Sequence, residues 1–341
     1  VAEKIQVLIV DDSDFIRGTL RSILDADPSI DVVGTATNGE EGLEKTLALK
    51  PNVVTMDLEM PVMSGFEAVE RIMREGPTPI IVVSSMSRDS IIRTLDAGAM
   101  DFVSLSQGVE GIAEDLVKKV KIASRVRVLK RIKTRRELKP EIIEETGCGF
   151  KIIAVGVSTG GPQALKAFFS GIPADFPAGI LVVQHMSPGF IEGMVEWLRS
   201  YSSADIRVPG QWDVLERGMA FVAPDSRHME ILADGEIRLS SDGSNNSLHV
   251  PSIDIMMKSV AAAYGKDAVG VLMTGMGKDG VEGMRAIRQA GGVTIAQDEE
   301  SSVIFGMNRV AIEEGIVDRV VPLEEISTDI IRAARRGSSG V

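Results

Sequence analysis

Residues 151–164 read KIIAVGVSTGGPQA, an apolar run that ends in a glycine-rich turn carrying Ser158 and Thr159. A serine hydroxyl is a weak nucleophile at neutral pH and needs a base, usually a histidine that a carboxylate holds in place. The chain offers three histidines. His185 directly follows the apolar run of residues 179–184, so it emerges at the same edge as Ser158 if both runs are strands of one parallel sheet. His228 opens an alternating segment and His249 lies in the polar stretch SDGSNNSLHVPS, so position favours His185 as the base. Asp279, in LMTGMGKDG just beyond the run of residues 268–274, is the carboxylate that a third strand end brings to that edge. Taken singly, each has a plainer role: a small-residue turn can cradle an anion, a histidine can make a structural hydrogen bond, and an aspartate before glycine can cap a helix. A competing pattern overlaps the third of them. Gly275 to Gly280 match G-x-G-x-x-G between a strand and a helix, with Asp298 lying 18 residues further on, which is the context of a dinucleotide fingerprint.

A second constellation lies near the start. Asp11 and Asp12 follow the apolar run of residues 5–10, and Asp57 ends that of residues 53–57. Carboxylates gathered at one sheet edge repel one another unless a cation compensates, so the trio suggests an oxygen-ligand site for Mg²⁺. Helix capping accounts for Asp12 or Ser13 singly but not for all three.

The elements that position these groups follow from periodicity. Strand-like runs at residues 5–10, 32–37, 53–57, 79–85 and 101–105 alternate with helical patterns, which is the signature of a parallel α/β sheet. The alternation resumes at residues 152–157, 179–184, 268–274, 293–297 and 317–321. Between them EILADGEIRL, residues 230–239, places Asp234-Gly235 between two alternating runs, which predicts an added antiparallel hairpin with a type I′ turn. The fold class is therefore α/β, with two doubly wound parallel-sheet domains, the second Rossmann-like with that hairpin. Residues 1–124 form the first domain, 125–149 a linker and 150–341 the second. Residues 125–139 hold eight basic residues against the single acid Glu137, and the spacing of Ile122, Val126 and Leu129 predicts that the preceding helix runs on into this stretch.

Composition narrows the function further. With 341 residues, 44% apolar, there is material for two cores. A formal charge of -12 argues against nucleic acid as a partner, and no aromatic residues interleave with the basic linker. The single Cys148 cannot form an internal disulfide, no Cys/His zinc spacing is present, and the first segment reads as a strand rather than a signal peptide. No apolar run approaches the ~18 residues of a membrane span, so a cytoplasmic protein without membrane insertion is expected.

VLIVDDSDFIR, VVTMDLEMPVMSG and IIVVSS resemble the receiver domain of two-component response regulators, a flavodoxin-like fold, over residues 4–124. The resemblance implies phosphorylation of Asp57 by a histidine kinase, with Mg²⁺ held by Asp12, Asp57 and the backbone of Glu59 while Asp11 assists. It places Ser84 and Phe102 at the switch positions. One departure stands out: Leu105-Ser106 occupies the place of the usual Lys-Pro, so an ammonium that contacts the phosphate is missing. GVSTGGPQAL, VVQHMSPGF, VPSIDIMMKSVA and LMTGMGKDGVEGM resemble the catalytic domain of chemotaxis protein-glutamate methylesterases, over roughly residues 151–335. That resemblance implies Ser158 as nucleophile, His185 as general base and acid, and Asp279 as the residue orienting the imidazole. Thr159 and Met276 fall at active-site positions, Met276 through its backbone N–H in an oxyanion hole. The implied reaction is hydrolysis of glutamyl methyl esters on the cytoplasmic helices of chemoreceptors, with deamidation of some glutamines and no cofactor for the ester chemistry. The chain order Ser, His, Asp separates the protein from the α/β-hydrolases, although Gly156, Ser158 and Gly160 spell G-x-S-x-G. A receiver with a binding-only or dinucleotide-binding output domain is the alternative.

Overall fold

The computed structural model describes residues 4–84, 88–105, 112–126, 151–241 and 249–335. The chain divides into two compact units at residues 132 and 133. In the first, strands β1 (Ile5–Val10), β2 (Ile30–Ala36), β3 (Val53–Met56), β4 (Ile80–Ser84) and β5 (Asp101–Ser104) alternate with helices α1 (Asp14–Asp25), α2 (Gly39–Leu49), α3 (Gly65–Glu75), α4 (Arg88–Ala97) and α5 (Ala113–Ala123). The strands pair in parallel in the order β2-β1-β3-β4-β5. Their near-continuous apolar sequences are what a sheet covered on both faces requires. Val7, Ile9, Ile81, Val83 and Val103 pack against Leu20 and Leu24 of α1 and Leu116 and Val120 of α5. Ser13, Asn38 and Ser64 start their helices by accepting the N–H of the third residue on, which satisfies donors that the first turn leaves unpaired.

The second unit contains β6 (Lys151–Val157), β7 (Ala178–Gln184), β8 (Asp205–Arg207), β9 (Met219–Val222), β10 (His228–Ile231), β11 (Ile237–Ser240), β12 (Ala268–Leu272), β13 (Val293–Gln297) and β14 (Arg319–Val321). Its helices are α6 (Gly161–Ser170), α7 (Ile191–Arg199), α8 (Ile253–Tyr264), α9 (Val281–Gln289), α10 (Met307–Glu313) and α11 (Leu323–Arg335). Seven strands form a parallel sheet in the order β14-β13-β12-β6-β7-β9-β8, and β10 pairs antiparallel with β11 apart from it. Both units are thus doubly wound, as the alternation of patterns predicts. In each, the first strand has its successor on one side and a later strand on the other. The crevice where a doubly wound sheet collects ligands therefore opens beside the carboxyl ends of β1 and β6.

Four sequence expectations need correction. Strands β8 and β9 were not foreseen; at three and four residues they are too short to show a period, and they add to the sheet edge beyond β7. β12 ends at Leu272, because Thr274 spends its N–H on Gln297 and its hydroxyl on the Thr159 carbonyl instead of continuing a ladder. The hairpin closes through a three-residue loop, not a two-residue type I′ turn: Gly235 N–H donates to Leu232 O, and Gly235 takes φ +88°. Helix α5 stops at Ala123, where the Arg125 and Val126 N–H groups turn back to the Ile122 and Ala123 carbonyls. Residues 127–150, with Leu129 and Cys148, lie outside the described residues.

Candidate active site

Ser158 and His185 are the first residues beyond β6 and β7, whose register pairs Val157 with Gln184. His185 N–H donates to Val157 O at 3.0 Å. The Gln184 side-chain amide then bonds both neighbouring carbonyls, Ser158 O at 2.8 Å and His185 O at 2.7 Å, clamping the two strand ends together. That clamp needs Gly161, since a Cβ there would lie 1.8 Å from Gln184 Oε1. Gly160 takes φ +79°, the left-handed conformation that lets the chain turn from strand into α6.

The β12–α9 loop completes the site. His185 Nε2 lies 2.9 Å from Asp279 Oδ2. The same carboxylate accepts the Ile253 N–H at 2.8 Å, the Asp254 N–H at 3.0 Å and the Ser252 hydroxyl at 2.9 Å, all at the start of α8. Burial disfavours the Asp279 charge, but the hydrogen bond and charge of His185 and the two backbone N–H groups outweigh it and hold the pKa at about 2. An ionised Asp279 can only accept, so the imidazole proton is on Nε2, and Nδ1 is the nitrogen left to exchange a proton.

Thr274 ties this loop to the Ser158 turn: its carbonyl accepts the Ser158 N–H at 3.0 Å, and its hydroxyl donates to Thr159 O at 2.9 Å. Gly275 and Met307 use their N–H groups on Ile304 O and Gly275 O, whereas those of Thr159 and Met276 have no partner among the described residues. Two such donors beside a turn serine are what an oxyanion hole would require. Thr159 is buried, while the Met276 side chain is 43% exposed.

His228 is buried, and its Nδ1 accepts the Ser252 N–H at 3.2 Å, which gives it a structural place behind the site. His249 stacks on His185 with ring centroids 4.5 Å apart. All three histidines of the chain thus belong to one cluster. Gln184, Ser252, Asp254 and Thr274 were not singled out from sequence, and His249 was weighed there only as a candidate base and set aside. The only sequence signal among them is Ser252 followed by an apolar helical pattern, which reads as an ordinary helix cap. The dinucleotide reading fails on the same contacts. Asp254 Oδ1 accepts the N–H groups of Gly280 at 2.9 Å and Gly283 at 2.7 Å, filling the α9 N-terminus that a pyrophosphate would need. Asp298 accepts from the Ser301 N–H and hydroxyl, as a turn cap does.

In the first unit, Asp11 is buried beside Asp57 and the exposed Asp12. Burial is the main cause that raises its pKa to about 6; the Asp57 and Asp12 charges add to it, and the Ser13 N–H and Arg17 oppose it. Among the described residues no three His, Cys, Asp or Glu side chains cluster as a metal cage. The three-carboxylate cage expected from sequence is therefore not seen among the described residues; the set implied by the resemblance, Asp12 and Asp57 with the carbonyl of exposed Glu59, needs only two, and the negative charge around Asp11 fits a divalent cation. Ser84 donates to Asp57 Oδ1 at 2.7 Å. Phe102 is fully buried, and Lys119 holds its carbonyl while pairing with Asp101 at 3.1 Å. Leu105 packs against the receiver core, and Ser106 lies outside the described residues. Among the described residues no helix is long and apolar enough to cross a membrane.

Two family models match the chain, Response regulator receiver domain over residues 7–115 and CheB methylesterase over residues 153–330. A protein-glutamate methylesterase/protein-glutamine glutaminase of Pyrococcus horikoshii is 40% identical over 347 residues, covering 98% of this chain and 94% of that protein. One from Syntrophus aciditrophicus is 41% identical over 345 residues, covering 97% and 98%. The crystal structure of the Thermotoga maritima CheB methylesterase catalytic domain superposes with a TM-score of 0.52 at 35% identity, covering 55% of this chain and 100% of that one. With a carboxylate-held histidine beside a turn serine in one unit and an acidic receiver edge in the other, the chain belongs to the family of receiver-linked protein-glutamate methylesterases/protein-glutamine glutaminases.

Proposed function

We propose that Ser158 is the nucleophile, His185 the general base and acid, and Asp279 the residue orienting it, in hydrolysis of γ-glutamyl methyl esters on chemoreceptor helices. The observation that carries this reading is the 2.9 Å contact of His185 Nε2 with Asp279, made by the residue adjacent in register to Ser158. Ser158 Oγ has no hydrogen bond among the described residues, which leaves it available to His185 Nδ1 at the next strand end. Nδ1 takes the hydroxyl proton as Oγ attacks the ester carbonyl, and the oxyanion forms against the Thr159 and Met276 N–H groups. Collapse breaks the C–O bond, His185 returns the proton to the departing methoxide, and methanol leaves. Water then repeats the sequence on the acyl-enzyme, releasing glutamate and restoring Ser158. A glutamine side chain follows the same path with ammonia as the leaving group.

The receiver accepts a phosphoryl group on Asp57 from a histidine kinase, and this controls the esterase. Asp12, Asp57 and the Glu59 carbonyl would hold Mg²⁺, which when bound neutralises charge at the transferring phosphoryl group; Asp11 assists as a nearby carboxylate. Ser84 reads the modified Asp57, and Phe102 follows as the switch aromatic. Partners are thus a chemoreceptor cytoplasmic domain and a chemotaxis kinase, which places the reaction in the cytoplasm. The test is methanol release from methylated receptor by the full chain. Ser158→Ala and His185→Ala should each abolish it, and retained release by either overturns the assignment.

A further inference from the structure

We infer that His249 is a positioning residue for the general base: its ring is the platform that fixes the plane of the His185 imidazole. The inference rests on the assignment of His185 as the base.

The bond from His185 Nε2 to Asp279 restrains the ring at one corner only. About that axis the imidazole can still swing, and with it Nδ1, the atom that must meet Ser158. The His249 ring lies against one face, its centroid 4.5 Å from that of His185 and the planes 24° apart. A face contact at right angles to an edge contact removes the remaining rotation. His249 is itself half-buried, and it lies three residues before Ser252, whose hydroxyl binds the same Asp279 carboxylate. One short segment therefore supports both members of the pair. A ring held in its plane keeps Nδ1 aligned with the reacting hydroxyl, so the effect falls on kcat rather than on substrate binding.

The experiment compares the full chain with His249→Ala, His249→Phe, His185→Ala and Ser158→Ala, each assayed for methanol release from methylated receptor and for thermal unfolding. The expected result is a fall in kcat of about tenfold for His249→Ala, equivalent to about 1.4 kcal/mol, with KM unchanged. His249→Phe, which keeps a face but no titratable nitrogen, should recover most of that loss. Full activity in a folded His249→Ala overturns the inference. So does a His249→Phe variant as slow as His249→Ala, since a ring nitrogen rather than the ring face is then what His185 uses. Where His249→Ala does not fold, His249→Phe alone decides: kcat near wild type supports the platform and a tenfold loss refutes it. Activity in His185→Ala or Ser158→Ala would instead remove the assignment on which the inference stands.

Discussion

Replacing Asp279 by asparagine tests the catalytic cluster most directly, because every bond the carboxylate makes is one it accepts. Its Oδ2 faces His185 Nε2 and the Ile253 N–H, and its Oδ1 faces the Ser252 hydroxyl and the Asp254 N–H. An asparagine must turn its NH₂ to one side or the other. Turned toward Oδ1, it opposes the Asp254 N–H, while Ser252 can rotate and accept. Turned toward Oδ2, it opposes the Ile253 N–H and forces His185 to accept at Nε2, which moves the imidazole proton to Nδ1 and disarms the base. In either orientation one part-buried backbone N–H loses its acceptor, a cost of about 1–3 kcal/mol in stability. In a domain of this size that lowers Tm by roughly 2–4 °C per kcal/mol. Catalysis suffers more. Loss of the charge removes the acceptor-only partner that fixes the imidazole proton on Nε2 and faces the imidazolium formed on turnover, so kcat should fall at least about tenfold. The wrong tautomer would carry the drop toward ~10⁴-fold. Methanol release at saturating methylated receptor, with circular dichroism to establish folding, reads the outcome. A folded Asp279→Asn enzyme within threefold of wild-type kcat would refute the reasoning.

Gly275→Ala should slow turnover at least tenfold while leaving a folded domain, because the new methyl lies 2.6 Å from Ser158 Cβ and 2.8 Å from Met307 Cε; an unchanged kcat shows that the turn yields freely. The acid limb of stability should carry the Asp279 signature. Its folded pKa of about 2 is below the unfolded 3.8, so its contribution of about 2 kcal/mol is complete above the unfolded value and drains away as pH falls toward the folded one. Thermal unfolding between pH 5 and pH 2 should therefore fall more steeply for wild type than for Asp279→Asn, and parallel profiles would contradict this. Mg²⁺ at 100 times its Kd should stabilise the receiver transition by about 2.7 kcal/mol at neutral pH. Calorimetry that finds the same gain in an Asp12→Ala, Asp57→Asn double variant would place the ion elsewhere.

The proposed catalytic groups with sharp local context are placed at the sheet edge by the chain alone. Ser158 and His185 each follow an apolar run directly, and in a parallel sheet the end of a run is the place where a side chain reaches the crevice. Asp11 and Asp57 were legible for the same reason, since each ends or follows a strand of its sheet. What escaped are residues whose roles depend on distance through space. His249 was weighed as a base and set aside for its polar surroundings, and nothing in its neighbours signals a ring stacked on a histidine 64 positions earlier. Gln184 was absorbed into a strand; its clamp on two carbonyls exists only because β6 and β7 run side by side in one register. Strands β8 and β9 failed for a third reason, being too short to reveal a period.

The G-x-G-x-x-G motif shows how one side chain can reverse what a local pattern means. Its glycines have the conformations the pattern predicts, with Gly277 at φ +102° and Gly280 at φ +98°, and a helix follows. In a dinucleotide site the N–H groups of such a helix are left for a phosphate. Here Asp254 supplies the anion from within the protein, accepting from Gly280 and Gly283, and burial together with the neighbouring Asp279 charge raises its pKa against these hydrogen bonds. The α9 N-terminus thereby becomes scaffold instead of ligand site. Because Asp254 also donates its own N–H to Asp279, the residue that fills this helix start also helps to hold the carboxylate that meets the His185 imidazole.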